Sequence, residues 1–163
     1  GHSPPAQRGE GAPYRIEYDV FTSPLGIPCT RPPWGMLTAI DMDSGKIKWQ
    51  IPYGQSRRYG INVPAFFKWG APIWGGPTVT ASGLIFMSGT MDGKFRALDV
   101  ATGKELWQTT LPQGQAAAVP MTYMAGGKQY VAIAAGGATM EELNRGAHLH
   151  GTEAIVSYTL DDK

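Results

Sequence analysis

Two eleven-residue stretches, AIDMDSGKIKW at 39–49 and ALDVATGKELW at 97–107, follow one pattern, A-x-D-x-x-[ST]-G-K-x-x-W. Six positions of eleven agree, two of them the rare Trp49 and Trp107, and Asp41 stands 58 residues before Asp99. A fixed step of this size marks a repeat architecture. Within each copy an apolar strand runs from Ala39 or Ala97 into Asp41 or Asp99, whose carboxylate caps a tight turn. Gly45 or Gly103 supplies the positive φ that closes a hairpin. The returning strand is expected to alternate, with Lys46, Lys48 and Gln50 on one face and Ile47, Trp49 and Ile51 on the other. In the second copy Leu106 stands between Glu105 and Trp107. Each copy therefore reads as a β-hairpin with one exposed and one buried face.

Further short strands surround these hairpins. GPTVT (76–80) and GLIFMSG (83–89) form a hairpin about a Ser82-Gly83 turn, and residues 93–98 lead into the second repeat. PMTYM (120–124), a Gly126-Gly127-Lys128 turn and QYVAIAA (129–135) follow, then EAIVSYTL (153–160). Short strands at regular spacing with glycine turns predict an all-β fold. The four strands between residue 76 and about 110 make one propeller blade. The predicted organisation is an irregular extended segment over 1–35, with seven prolines, and blades over 36–160. The blades comprise repeat hairpins at 36–51 and 93–109 and a final blade at 119–160. Residues 52–75 read as a long loop, and only Thr139-Met140-Glu141-Glu142 carries a helix-start signal.

The length sharpens this picture. A chain of 163 residues suggests one ordinary domain. At a 58-residue step the chain holds two to three blades, fewer than any closed propeller needs, so it reads as an incomplete β-propeller with long loops. The final blade lacks a fourth strand, which leaves open sheet edges and a disposition to self-association.

Other compositional signals exclude more than they assign. Fourteen Lys and Arg nearly cancel thirteen Asp and Glu, so no nucleic-acid partner is expected. No apolar run reaches the roughly 18 residues of a spanning helix. One cysteine, Cys29, rules out an internal disulfide framework. His148 and His150 are two imidazoles without a third ligand, Glu141 and Glu142 diverge around a helix, and Arg57-Arg58 is a short basic pair. None of these makes a catalytic or metal site.

The repeat resembles the tryptophan-docking motif of the pyrroloquinoline quinone (PQQ)-dependent dehydrogenases, which are periplasmic eight-bladed propellers. PCTRPPWG (28–35), APIWGGPTVTASGLIFMSGTMDGKFRALD (71–99) and PMTYMAGGKQYVAIAAGG (120–137) are similar to the membrane-bound glucose, quinate and polyol dehydrogenase branch. The likeness spans roughly 24–160 and corresponds to the C-terminal end of such an enzyme. It implies structural docking posts at Ala39, Gly45 and Trp49 and again at Ala97, Gly103 and Trp107, each indole packing between blades and donating to a backbone carbonyl.

The resemblance also implies cofactor contacts at Trp74 and Gly75 and, through main chain, at Gly137 and Ala138. Ala138 stands where relatives carry Trp or His, and Trp74 stands where glucose-oxidising members carry an aliphatic residue, which points away from glucose. Trp74 equally fits a core tryptophan between blades, and the glycine pairs Gly75-Gly76 and Gly136-Gly137 fit turns or bulges better than cofactor contacts. The family's catalytic carboxylate and Ca²⁺ ligands belong to earlier blades, so no catalytic or metal residue is assigned here and the segment alone is expected to be inactive. The implied parent is an enzyme of the periplasmic face, anchored in the inner membrane, using PQQ and Ca²⁺ and passing electrons to ubiquinone. The segment's partners would be the remaining blades. The insertion at 139–152 would shape the substrate mouth. The rival reading is a non-enzymatic cell-envelope scaffold of PQQ-like repeats.

Overall fold

A computed structural model describes residues 7–8, 13, 15–16, 21, 28–58, 61–112, 116–136 and 153–160. In chain order, β1 (Gln7–Arg8) pairs with β2 (Arg15–Ile16), and β3 (Met36–Ile40) forms a hairpin with β4 (Ile47–Pro52). A small pair, β5 (Arg57–Arg58) and β6 (Ile61–Asn62), and a 3-10 turn at Ala65–Phe67 follow. Next, β7 (Thr78–Val79), β8 (Leu84–Met87), β9 (Lys94–Asp99) and β10 (Glu105–Thr110) make one antiparallel sheet in sequential order. The last sheet is β11 (Met121–Ala125), β12 (Lys128–Ala135) and β13 (Ala154–Thr159). The fold is an all-β, incomplete propeller whose sheets stand side by side without closing, and no α-helix occurs among the described residues.

Three expectations need placement. The long loop 52–75 holds the two-residue strands β5 and β6 and the 3-10 turn, and β1 pairs with β2 within the segment 1–35. The sequence hid these pairings because two-residue strands carry no periodicity. The helix-start signal at 139–142 and the insertion 139–152 lie outside the described residues.

The two repeats fold by the same local chemistry. Asp41 Oδ1 accepts from Ser44 N and Ser44 Oγ at 2.9 and 2.8 Å, and Gly45 N donates to the Asp41 carbonyl at φ +66°. Asp99 Oδ1 accepts from Thr102 N and Oγ1 at 2.8 and 2.7 Å, with Gly103 at φ +72°. These hydrogen bonds, from Ser44 and Thr102 respectively, hold both carboxyls below their ordinary pKa.

The strict alternation expected of the returning strands fails at one point in each copy. Ala39 pairs with Trp49 while Ile40 pairs with Ile47, so Lys48 is an extra residue. Ala97 pairs with Trp107 while Leu98 pairs with Glu105, so Leu106 is the extra one. Each is a β-bulge that re-aims what precedes it. Ile47 and Leu106 are consequently exposed, while Trp49 is half-buried opposite the small Ala39.

Two apolar layers flank the four-stranded sheet. On one side Ile85, Met87 and Leu98 pack with Tyr53 against Leu37, Trp49 and Ile51 of the β3–β4 hairpin. On the other, Phe95 joins Leu111, Val131 and Ile133, with Phe86, Val156 and Tyr158 packed alongside. Both faces of β8 and β9 are thus covered, at roughly 1.5–3 kcal/mol for each large side chain fully buried.

Candidate functional site

The end of the central sheet where β8 finishes and β9 begins gathers several segments. Trp74 N donates to the Gly89 carbonyl at 2.9 Å. Gly89 has φ +88°, and a Cβ there would lie 2.4 Å from Gly75 N, so the turn after β8 presses its backbone directly against the residues that lead into β7. On its other side Gly75 faces the third sheet, where a Cβ would come within 3.1 Å of the Ala118 carbonyl oxygen. Ala116 bridges Gly136 in parallel, and Thr78 Oγ1 donates to the Pro120 carbonyl. The structure therefore joins 74–76, 88–90, 116–120 and Gly136. Gly137 and Ala138 follow directly in sequence but lie outside the described residues.

Trp74 is 51% exposed, with its backbone anchored and much of its side chain uncovered. The exposed indole offers a flat apolar face to a planar ligand, while Gly75 and Gly89, lacking Cβ atoms, let their backbones pack directly against each other beside it.

Two other tryptophans, Trp49 and Trp107, act between sheets. Trp49 Nε1 donates to the Val100 carbonyl at 3.0 Å, and its ring covers Gly103, where a Cβ would stand 2.8 Å from Cε3. The first repeat thus sits on the turn of the second. Trp107 meets Tyr158 of the last sheet edge-on at 5.3 Å between centroids and Phe95 at 6.0 Å.

A buried polar cluster near the same end was not foreseen. Asp92 and Arg96 form an ion pair with side chains 0% and 6% exposed, joined by Thr90 Oγ1, Gln55 N and Lys94 N. Arg96 Nε also donates to Glu105 at 3.0 Å, and its guanidinium lies 5.4 Å from the Tyr53 ring centre. Burial works to raise the Asp92 carboxyl, but the hydrogen bonds and charge of Arg96 outweigh it and hold it below the ordinary range. The Tyr53 hydroxyl is pushed up to about 12, chiefly by burial, against the pull of Arg96. One signal of this cluster stood in the sequence, an arginine inside the otherwise apolar run Phe95-Arg96-Ala97-Leu98.

Nearby, a cleft of about 480 Å³ opens between the β4–β6 loop and the central sheet, lined in part by Gln55, Lys68, Trp69, Lys94 and Gln108. Cys29 is a free, exposed thiol. His148, His150, Glu141 and Glu142 lie outside the described residues, among which no group of three His, Cys, Asp or Glu could hold a metal. No helix among them is long and apolar enough to cross a membrane.

The PQQ family of glucose/ethanol/alcohol dehydrogenase β-propeller domains matches residues 1–131. The quinate/shikimate dehydrogenase (quinone) of Acinetobacter baylyi is 40% identical over 93% of this chain and 18% of its own length. The quinoprotein glucose dehydrogenase of Escherichia coli is 38% identical over 93% of the chain and 19% of its own. The glycerol dehydrogenase large subunit of Gluconobacter oxydans is 47% identical over 78% and 18%. Among solved structures, a quinohemoprotein alcohol dehydrogenase from Pseudomonas putida HK5 superposes with a TM-score of 0.53 at 26% identity, covering 77% of this chain and 16% of that one. The chain spans about a fifth of the length of these curated relatives. With its repeats, its side-by-side sheets and a match over residues 1–131, the chain belongs to the PQQ glucose/ethanol/alcohol dehydrogenase β-propeller family.

Proposed function

We propose that this chain is part of a quinoprotein dehydrogenase that oxidises a sugar, polyol or cyclic alcohol with PQQ and passes the electrons to ubiquinone at the periplasmic side of a membrane. Its own part is to supply closing blades and one wall of the cofactor pocket, and the remaining blades of the parent are its partners. The relatives named for quinate/shikimate, glucose and glycerol support the substrate range. The observation that carries the reading is the half-exposed Trp74, held by its backbone to Gly89 beside Gly75.

PQQ, when bound, supplies the ortho-quinone that accepts the substrate's hydride. The residues present fit such a group. Trp74 offers an exposed ring face beside Gly75, and the resemblance assigns main-chain contacts to Gly137 and Ala138 in the last glycine run. Neither a catalytic carboxylate nor Ca²⁺ ligands are assigned to this segment. The complete enzyme is expected to bind PQQ and Ca²⁺, and the segment alone neither of them tightly.

The test is reconstitution of the full-length protein with PQQ and Ca²⁺, followed by dye-linked oxidation of glucose, quinate and glycerol. Turnover of at least one is expected, and Trp74→Ala should raise the PQQ dissociation constant about tenfold or more, as loss of a desolvated aromatic contact does. No oxidation of any of them, together with no PQQ binding, would overturn the reading in favour of a cell-envelope scaffold.

A further inference from the structure

The Asp92 side chain is fully buried and accepts from five described donors: Thr90 Oγ1 at 2.7 Å, Lys94 N at 3.2 Å, Gln55 N at 3.1 Å and both terminal nitrogens of Arg96. Those donors come from the loop after β4, from the turn 88–93 and from β9. The opposite end of that turn is Gly89, whose carbonyl holds Trp74 N and whose Cα abuts Gly75. Between the two ends the turn is closed by Gly93 N to the Thr90 carbonyl at 3.2 Å and Ser88 Oγ to the Lys94 carbonyl at 2.9 Å. Thr90 is wedged against residue 54, where a Cβ would come within 2.3 Å of its methyl. The turn has little room to shift by itself.

We infer that Asp92 is a positioning residue, which fixes the turn 88–93 between two sheets and thereby sets where Trp74 and Gly75 stand at the cofactor wall. The inference rests on the functional reading above. A buried ion pair adds little net stability over apolar residues of similar volume. An apolar pair could not, however, accept the backbone N–H groups of Gln55 and Lys94, which tie the turn to two different segments. Both oxygens accept, Oδ1 from Thr90 Oγ1 and Lys94 N and Oδ2 from Gln55 N, so the chemistry needed at position 92 is a carboxylate rather than an amide with one acceptor oxygen.

The test uses the full-length enzyme and reads PQQ binding to the apoprotein and the absorption spectrum of the bound cofactor. The paired change Asp92→Leu with Arg96→Met removes both charges without stranding either. It should raise the PQQ dissociation constant about tenfold and shift the spectrum, as a displaced contact does. Thr90→Val keeps the pair and deletes one hydroxyl, and should raise it about threefold. Trp49→Phe weakens the same sheet-to-sheet contact without touching the turn, and should stay within about twofold. PQQ affinity and spectrum unchanged in both Asp92/Arg96 and Thr90 variants would overturn the inference. So would an equal loss in Trp49→Phe at a matched drop in melting temperature. Trp74→Ala separates the two levels: if it leaves PQQ binding unchanged, the functional reading itself fails, whereas a loss there beside intact paired and Thr90 variants sinks the positioning role alone.

Discussion

Beyond its packing against the Tyr53, Ile85, Met87 and Leu98 cluster, Trp49 makes one hydrogen bond and one close contact, both with the turn of the other repeat. Its N–H reaches Val100 and its ring lies on Gly103. That makes Gly103 and Gly45 a matched pair, since they share a position in the repeat and nearly the same φ, +72° and +66°, yet nothing lies within 4 Å of a Cβ at Gly45. Gly45→Ala should cost only the left-handed backbone penalty, about 1 kcal/mol. Gly103→Ala adds a clash with the indole and should cost about 2–3 kcal/mol, some of it as a displaced Trp49. Denaturant unfolding of the two variants, with tryptophan emission as the signal, measures the difference. Equal costs would mean that Trp49 does not bear on Gly103. A sequence shows that a glycine is needed at both turns, because the positive φ is a local demand. It does not show that one of them also serves as a seat for a tryptophan more than fifty residues away.

The elements show the same boundary between local and distant causes. The Asp-x-x-[ST]-Gly turns, the hairpins and the four-strand sheet were legible because each is decided by side chains within a few residues. The bulges at Lys48 and Leu106 were not, since an extra residue there satisfies the docking of Trp49 and Trp107 and breaks the periodicity from which a face is read. The Asp92 cluster escaped for a related reason: its Gln55 partner is 37 positions away. At the candidate site, Trp74 and Gly75 could be named from the sequence. Whether Trp74 is covered, and that Gly89 and Ala118 flank Gly75, depended on two sheets meeting. The bulge makes a prediction at this scale. Ile47, which alternation would bury, is 60% exposed, so Ile47→Thr should change stability by no more than about 0.5 kcal/mol. Phe95 is 0% exposed between the second and third sheets, so Phe95→Ala should cost about 3–5 kcal/mol. Thermal melting of both variants checks the contrast, and a large loss from Ile47→Thr would return that residue to the core.

Among the described residues the chain is a row of sheets whose facing sides pack together. The central sheet is covered on both sides, whereas the last sheet packs only one face against it through Val131, Ile133 and Val156. Register places Met121, Tyr123, Tyr130 and Ile155 on the other face, where Met121 is 60% and Ile155 83% exposed and Tyr123 stacks on Tyr130 at 5.2 Å. Among the described strands, β11 and β13 are the edges of this sheet. A relative five times as long has further chain with which to cover such a face, and the 163 residues expressed alone can offer it a second copy. An apolar face bordered by unpaired backbone groups recruits strands or sheets of its own kind. The isolated chain is therefore expected to self-associate, with a light-scattering mass that rises above the monomer value as concentration increases. Ile155→Lys places a charge on the exposed face of an edge strand, which natural sheets use against such pairing, and should shift the mass back toward the monomer. A monomer mass at every concentration would show that the outer face is inert, and Ile155→Lys would then have nothing to reverse.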